Sequence, residues 1–438
     1  MRSSFPGKIW AIAGPAYIRL VLLGAVVGIP AAAVAAVFLG LVHELQHWLW
    51  TDLPDELGES SPPWYLVLGL PVLGAAIVLA ARTRLPGDGG HAPLDGLNPD
   101  PKPLSHAPGV ALAALGTLGF GAVLGPEAPV VALGAIIALA VTSFARLAAT
   151  ESRMLATAGS FAAISALFGG PLVGGVMMTE SALALGTRLV PALLPGFVAA
   201  AVGYTIFVGF GDWAGLDSPG LAVPDLELYD GTRVVDLLIA VVVGVIAALV
   251  VAGVHRFTTE VADVRARRMG MPVSLLGGGL LVGAIALLAD ELGSDSQDVL
   301  FSGQASIAPL VAETSTGVVL LLLVAKALAY AVSLVAGFRG GPIFPAIFIG
   351  IGVATLPVVW FDVSPTFAIA IGAAAGMAAH AQLLLTAMLF AALLVGSPGV
   401  DTVPGAVLAA VAAWITARAL HGRRVSPAAG QAAAGTAP

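Results

Sequence analysis

The chain has 438 residues, of which 58% are hydrophobic and only 10% are charged, against roughly 25% charged residues in soluble domains. This composition excludes an ordinary water-soluble globule and indicates a polytopic membrane protein. The absence of cysteine excludes disulfides, thiolate metal sites and cysteine nucleophiles. The net charge of −7 gives no indication of nucleic-acid binding.

Apolar tracts recur along the whole chain and predict an all-α protein. The first tract is longer than the ~7–15-residue apolar core of a signal peptide, so it predicts a membrane helix. With 54 glycines and 30 prolines, many helices are expected to be short or broken, and several tracts fall below the ~20 residues that span a bilayer. The predicted tracts are Leu20–Val42, Trp64–Ala81, Val110–Val123, Pro129–Phe144, Met154–Phe168, Pro171–Leu185, Ala192–Phe210, Val234–Val254, Leu275–Leu288, Val318–Val335, Ile343–Trp360, Ala368–Ala379, Leu383–Val395 and Val403–Leu420.

The charged residues between the tracts predict the orientation in the membrane. Basic residues near helix ends mark the cytoplasmic side, while the acidic loops Asp52–Glu59 and Asp212–Asp230 are expected outside. Both termini are then cytoplasmic, in a plasma (inner) membrane. The predicted organisation is a cytoplasmic segment 1–15, a first membrane repeat 16–215, an extracellular linker 216–232, a second membrane repeat 233–422 and a cytoplasmic tail 423–438.

A short motif occurs twice, about half the chain apart. Gly125–Pro129 and Gly341–Pro345 each place Gly-Pro before an apolar run, with a second proline near the first helical turn. Proline is favoured there because the first N–H groups of a helix have no intrahelical partner. Two helix starts that face one mid-membrane cavity would form an anion site without a fixed cation. The candidate backbone donors are Gly125, Ala128, Ile343 and Phe344.

Glu127 lies inside the first motif, in otherwise apolar surroundings. A carboxylate within the membrane is a functional candidate, although a first-turn glutamate can also simply complement its own helix dipole. The functional interpretation makes Glu127 a gate: its carboxylate occupies the anion site when ionised and leaves it when protonated or displaced.

Four glycine-rich and proline-rich segments, in this order and spacing, resemble the CLC family of chloride channels and proton/chloride exchangers. They are Gly116–Gly119, Val123–Pro129, Phe168–Gly175 and Gly340–Pro345. The resemblance implies a homodimer whose subunits each hold an anion pathway, built from two inverted halves of short, tilted and broken helices. It places Glu127 on the family's gating glutamate, makes chloride the expected anion and requires no enzyme activity, metal or cofactor.

The chain departs from the family's pattern at several positions. Pro126 and Ala128 replace the arginine and second glycine of G-R-E-G-P, and Pro342 offers no N–H. The resemblance places a third helix start in the segment 87–93, without its serine, and adds Gly89 and Gly90 as candidate donors. The family's C-terminal tyrosine is missing, so the inner constriction is expected to be weakened or rebuilt.

Proton coupling is the least supported part of the resemblance. The exchangers' internal glutamate would fall at Ser181, and Glu180 precedes it on a helix face about 100° away. Weak or absent proton coupling is therefore expected. The alternatives that remain are an exchanger that uses Glu180 or another proton route, and a carrier of small carboxylates.

Two further residues are candidates for the anion path. Lys326 lies inside an apolar tract and would attract anions, or serve as a snorkelling or ion-paired structural lysine. His91 lies beside the third proposed helix start and would donate to an anion, sense pH, or stabilise a turn.

A zinc-protease alternative comes from His43-Glu44-Leu45-Gln46-His47, an H-E-x-x-H sequence followed later by Asp95. Such a helix presents two imidazoles to zinc and a glutamate as base. The charge pattern, however, places His43 and His47 at the outer surface and Asp95 on the cytoplasmic side. An amphipathic helix end is the simpler interpretation.

Overall fold

A computed structural model describes residues 14–95, 102–144, 147–181, 190–214 and 223–422. The described residues form helices joined by turns and contain no β-strand, which confirms the all-α prediction. The helices are α1 (Pro15–His47), α2 (Leu53–Glu56), α3 (Trp64–Arg84), α4 (Ala107–Leu118), α5 (Glu127–Ser143), α6 (Ala149–Leu167), α7 (Pro171–Ser181), α8 (Val190–Ala214), α9 (Val234–Arg268), α10 (Met271–Glu291), α11 (Ser296–Val299), α12 (Ile307–Ala312), α13 (Thr316–Ala336), α14 (Ile343–Phe361), α15 (Pro365–Ala381), α16 (Leu384–Val395) and α17 (Val403–Gly422).

Each predicted tract corresponds to a helix, and the differences lie at the ends. α4 stops at Leu118, short of the predicted Val123, because the chain turns at Gly121 with a φ of 91°. α9 continues to Arg268, past the predicted end at Val254, since charged residues extend a helix that has left the apolar layer. Residues 182–185 of the tract Pro171–Leu185 lie outside the described residues.

Seven helices of the described chain are long and apolar enough to cross a membrane. Others are too short: α4 and α16 have 12 residues each, and at about 1.5 Å per residue they reach little more than half of a ~30 Å hydrocarbon core. A helix that ends inside the membrane needs protein or a water-filled cavity at its end. The fold must therefore bring these helix ends together in its interior.

The two halves pack their helices in the same pattern. In the first half α5 packs on α6, α6 on α8, and α1 on both α6 and α8. The second half repeats these pairs as α14 on α15, α15 on α17, and α9 on both α15 and α17. The halves also join directly, through α3 and α10.

The two copies of the repeated motif meet each other at the centre of this arrangement. Gly125 and Gly341 form an antiparallel bridge, in which the Gly125 N–H donates to Gly341 O at 2.6 Å and the Gly341 N–H donates to Gly125 O at 2.5 Å. Because the two backbone segments run in opposite directions there, α5 and α14 leave the bridge in opposite directions, as expected for inverted halves.

The segment 87–93 does not begin a helix as predicted. Gly87, Asp88, Gly89 and Gly90 all have positive φ and form a tight turn. One 3-10 turn, Pro93–Asp95, follows. Four successive left-handed residues exclude a right-handed helix start, so the glycines serve the turn rather than a helix N-terminus.

Asp88 anchors this turn to both halves of the protein. Its carboxylate accepts hydrogen bonds from Arg82 at 2.9 and 3.1 Å and from the buried Arg339, whose Nε also donates to Asp88 O at 3.0 Å. Burial alone would raise the pKa of Asp88, but the two guanidinium groups hold it below its ordinary value. Arg339 comes directly before the second motif, so this pair helps to position it.

The predicted linker 216–232 is described from residue 223 onward. This part begins with a turn at residues 224–225 and lies against the second half. The N–H groups of Val223 and Tyr229 donate to Leu394 O and Pro398 O, both at 3.0 Å. Tyr229 also stacks on Phe367 at 5.0 Å between ring centroids. The predicted segments 1–15 and 423–438 lie almost wholly outside the described residues.

Replacing Asp88 by asparagine is expected to destabilise the fold. The free energy of unfolding should fall by about 1–3 kcal/mol, because Arg339 stays buried without its charged partner. Thermal unfolding of the detergent-solubilised protein at pH 7 measures this change. Asp225→Asn is the matched control, because Asp225 is exposed and also has a left-handed backbone, with a φ of 55°.

The same comparison has a defined pH dependence. The folded-state pKa of Asp88 is lowered, so its carboxylate stabilises the fold above the unfolded-state pKa of about 3.9 and loses this effect as the pH falls through the lower folded-state pKa. The difference between native protein and Asp88→Asn should therefore shrink below about pH 4. A difference that persists unchanged in acid would contradict this role.

Candidate functional site

Glu127 is the first residue of α5 and is fully buried. Its Oε1 accepts a hydrogen bond at 2.5 Å from the N–H of Ile343, the first residue of α14. The N–H groups of Phe344 and of Glu127 itself also stabilise the carboxylate. The carboxylate therefore occupies the N-terminus of a helix from the other half of the protein.

The local sequence explains why these N–H groups are available. The first N–H groups of an α-helix have no acceptor within the helix. Pro126 and Pro342 are the N-cap residues of α5 and α14, and each helix carries a second proline in its first turn, Pro129 and Pro345. The prolines define where each helix begins, and the Gly125–Gly341 bridge brings the two starts together.

Glycine is required on both sides of the carboxylate. A Cβ atom at Gly125 or Gly341 would collide with the Glu127 side chain. The second carboxylate oxygen, Oε2, is buried and has no hydrogen-bond partner among the described residues. A proton can therefore add to Oε2 without breaking the bond between Oε1 and Ile343.

Two of the predicted anion donors are already committed to other acceptors. The Gly125 N–H donates to Gly341 O, and the Gly90 N–H closes its turn on Gly87 O at 2.9 Å. The prediction was wrong for these two groups, because close backbone pairing used the N–H groups that sequence alone left open. Ile343 and Phe344 hold the carboxylate, while Ala128 lies in the first turn of α5.

The segments around the three predicted helix starts do come close together. Gly89, Gly90 and His91 share a small cavity of about 10 Å³ with Ala128, Pro129 and Gly340. This volume is about that of one water molecule. The third segment therefore lies beside the site as a turn.

A larger cavity of about 600 Å³ reaches the same helix start from the other side. Its wall includes Pro342 and Ile343 at the inner end. At the other end it includes the exposed Arg256 and Thr259 of α9 and Leu420 of α17. These helices end on the side that the charge pattern predicts to be cytoplasmic. Glu127 is not among the described residues that line this cavity.

Sequence reasoning missed three side chains near this cavity. The hydroxyl of the fully buried Tyr330 donates to Pro342 O at 3.0 Å and lies 3.4 Å from Nδ1 of His380. That nitrogen lies 2.8 Å from Nε2 of His255, and both histidines line the cavity. The signal in the sequence was a polar ring inside or at the end of an apolar tract, whereas the family resemblance places the expected tyrosine near the C-terminus.

Glu180 and Ser181 have different surroundings. Glu180 accepts hydrogen bonds from the N–H groups of Leu385 and Thr386 at 2.8 and 2.7 Å, and from the Thr386 hydroxyl at 2.5 Å. It therefore caps the start of α16. Ser181 lines the large cavity, and its hydroxyl donates to Met177 O at 2.8 Å. The approximately 100° rotation between adjacent helical residues separates the two roles.

Lys326 is fully buried, and its ammonium group donates to Asp298 O at 3.0 Å and Leu300 O at 2.6 Å. It also lies 4.6 Å from the centre of the Phe348 ring. These contacts are typical of a structural lysine that holds a loop.

The residues of the H-E-x-x-H sequence lie at the exposed end of α1. His43 and Glu44 are exposed, and His47 pairs with Asp52 at 3.2 Å. No group of three or more potential metal ligands forms among the residues that the structure describes. The side chain of Asp95 lies outside the described part of the chain.

The chain is similar to known proteins both in sequence and in fold. The family model for voltage-gated chloride channels matches residues 92–418. YfeO of Escherichia coli and of Escherichia fergusonii, a proposed ion-transport protein, is 30% identical over 351 residues, which cover 75% of this chain and 77% of the relative.

Two solved structures share the fold. The crystal structure of a slow cyanobacterial Cl−/H+ antiporter has a TM-score of 0.76 at 17% identity and covers 92% of this chain and 95% of its own. That of a CLC-type fluoride/proton antiporter has a TM-score of 0.70 at 22% identity and covers 95% and 98%. Since the family model alone spans most of the helical chain, this protein belongs to the voltage-gated chloride channel (CLC) family.

Proposed function

We propose that this protein moves small inorganic anions, chloride first, across the plasma (inner) membrane through a pathway that Glu127 closes. The observation that carries the proposal is the hydrogen bond between Ile343 N–H and Glu127 Oε1. The carboxylate oxygen stands in for an anion: it is a negative atom held by the N–H groups at the start of α14. An anion that takes this place has to displace it.

The physics of this site suits transport rather than tight storage. Backbone N–H groups and the helix dipole offer partial positive charge, which replaces part of the hydration shell of an ion at modest affinity. Two buried cations lie near the motifs, and both have other partners among the described residues. Lys326 donates to two carbonyl oxygens, and Arg339 donates to Asp88. The anion therefore meets dipoles that it is able to leave.

Glu127 has two physically distinct states in this proposal. Ionised, it makes a charge-assisted hydrogen bond to Ile343, roughly twice as strong as a neutral one. Protonated at Oε2, it loses that advantage and the N–H groups become available to an anion. Acid should therefore open the pathway.

Proton-coupled exchange is the second candidate function. Both structural neighbours are antiporters, one for Cl−/H+ and the other for fluoride/proton. The expectation of weak or absent coupling depended on the missing inner carboxylate, and the cavity wall indeed includes no carboxylate among the described residues. The wall does include His255 and His380, and these two side chains are candidates for the other proton route in this alternative.

A homodimer with cytoplasmic termini is part of the same proposal. The family supports the homodimer, and the basic residues in the last turns of α3 and α9 support the cytoplasmic termini. Cross-linking of the purified protein in detergent is expected to give a dimer. The dimer is not required for the role of Glu127, because the site lies within one chain.

Glu127→Gln is expected to open the pathway. A neutral amide holds the α14 start less strongly than a carboxylate does. Chloride efflux from proteoliposomes should therefore become several-fold faster and lose its dependence on pH, whereas the native protein should be faster in acid. Glu291→Gln, an exposed substitution at the end of α10, is the matched control and should behave like the native protein. A pH-dependent flux that survives in Glu127→Gln would contradict the gate.

Chloride binding provides a separate check on the competition between anion and carboxylate. If the interaction between residue 127 and the α14 start weakens by about 1.4 kcal/mol, the affinity for a competing chloride ion rises tenfold. Calorimetry should therefore show chloride binding about tenfold tighter in Glu127→Gln than in the native protein at pH 7. Acetate in place of chloride tests the carrier of small carboxylates, which should bind acetate at least as well.

The zinc-protease alternative is tested by metal analysis. Purified protein is expected to hold no stoichiometric zinc, because His43 lies exposed at a helix end. His43→Ala should leave both metal content and chloride flux unchanged. Stoichiometric zinc that disappears in this variant would instead support the enzyme.

A further inference from the structure

Three side chains from three helices form a polar chain along the inner cavity. His255 belongs to α9, His380 to α15 and Tyr330 to α13. The nitrogens of the two imidazoles lie 2.8 Å apart, and the Tyr330 hydroxyl lies 3.4 Å from His380 Nδ1. These residues are separated by 125 and 50 positions in sequence, so only packing brings them together.

The chain of side chains ends one peptide group away from the gate. Tyr330 donates to the carbonyl oxygen of Pro342, and the N–H of the same peptide group, contributed by Ile343, donates to Glu127. The C=O and N–H of a planar trans peptide point in opposite directions, so Tyr330 and Glu127 lie on opposite sides of it. Hydrogen bonds in such a chain polarise one another, and the Tyr330 hydroxyl strengthens the donor that holds the gate.

The two histidines and the gate's helix start face the same space. The 600 Å³ cavity is lined by His255 and His380 as well as by Pro342 and Ile343. Both histidine side chains are half-buried. Water in this cavity can reach both the imidazoles and the Pro342–Ile343 peptide group, whose N–H donates to Glu127.

The other charged groups around the pair are already engaged. On α9, Arg256 pairs with Glu260 at 2.9 Å. On α17, Arg418 stacks on Trp414 at 4.5 Å. On α7, Glu180 caps α16, and α14 and α16 carry no ionisable side chain. Tyr330 is the ionisable group that α13 directs at the pair. Of the ionisable side chains described on the cavity wall, His255, Arg256 and His380, the two imidazoles are the ones with a neutral form that can accept a proton.

The short contact between the rings limits the charge that they hold. Two ring nitrogens 2.8 Å apart accommodate one hydrogen between them, donated by one ring and accepted by the other. Two imidazolium rings would direct two N–H groups at each other. While the contact lasts, the pair therefore carries at most one extra proton.

We infer that the His255–His380 pair is the inner proton acceptor of a coupled anion exchanger, in place of the carboxylate that is missing from the cavity wall. The inference rests on the proposed role of Glu127. A proton leaves cavity water and converts one imidazole to imidazolium. The imidazolium then releases the proton to cavity water beside Ile343. When the Glu127 carboxylate leaves the α14 start and turns toward this water, its Oε2 binds the proton, and the N–H groups of the helix start are free for an anion. Only N–H and O–H bonds form and break, and one proton crosses for each turn of the gate.

Proteoliposomes with an outward chloride gradient test this inference. Chloride release and proton uptake are measured together, with an ion-selective electrode and a pH electrode. The native protein should take up protons against their gradient as chloride leaves. His380→Gln and His255→Gln should each lower proton uptake by about two orders of magnitude, the scale of removing a positioned acid–base group, while chloride flux stays within a few-fold. His43→Gln, on an exposed helix end, is the control.

A carboxylate variant separates proton transfer from simple packing. His380→Glu restores an ionisable group and should recover part of the proton uptake, with the pH dependence shifted toward acid. If His380→Gln does not fold, as judged by size-exclusion chromatography, the decision rests on His255→Gln. Native coupling in either folded glutamine variant, or a native protein that moves chloride without protons, would overturn the inference. A pH-dependent chloride flux that survives in Glu127→Gln would instead overturn the proposed function.

Discussion

The hydrogen bond between Ile343 N–H and the Glu127 carboxylate is the interaction on which the rest of the structure depends. It joins the first residue of one half's broken helix to the first residue of the other's. Buried N–H groups at a helix start need an acceptor, and a buried carboxylate needs donors. Each half therefore supplies what the other lacks, and in the proposed transport cycle an anion replaces the carboxylate at the same N–H groups.

This exchange of partners requires the two halves to meet closely. The antiparallel bridge between Gly125 and Gly341 pairs the backbone directly before each helix, and a side chain at either position would occupy the space of the carboxylate. The Arg82–Asp88–Arg339 group anchors the second motif from outside. The repeated packing of α5, α6 and α8 as α14, α15 and α17 supports both starts symmetrically.

Strong positive charge is kept away from the helix starts, although cations lie near. Lys326 holds the carbonyl oxygens of Asp298 and Leu300, and Arg339 holds Asp88. The inner cavity beside Pro342 and Ile343 is also lined by the imidazoles of His255 and His380. The buried Tyr330 contacts both Pro342 O and His380. In the exchanger that we propose, these imidazoles accept protons from the cavity water.

The sequence by itself determined the helices, the repeated motif and the gate candidate, because apolar runs, proline at helix starts and a carboxylate in an apolar segment are local features. It predicted too many N–H groups free to bind an anion. The N–H groups of Gly125 and Gly90 donate to backbone carbonyl oxygens that come near only in the folded protein. It also did not identify Tyr330, His255 and His380, which come from three helices. Contacts between helices depend on how all of them pack, and the tertiary structure alone decided which polar groups share the cavity.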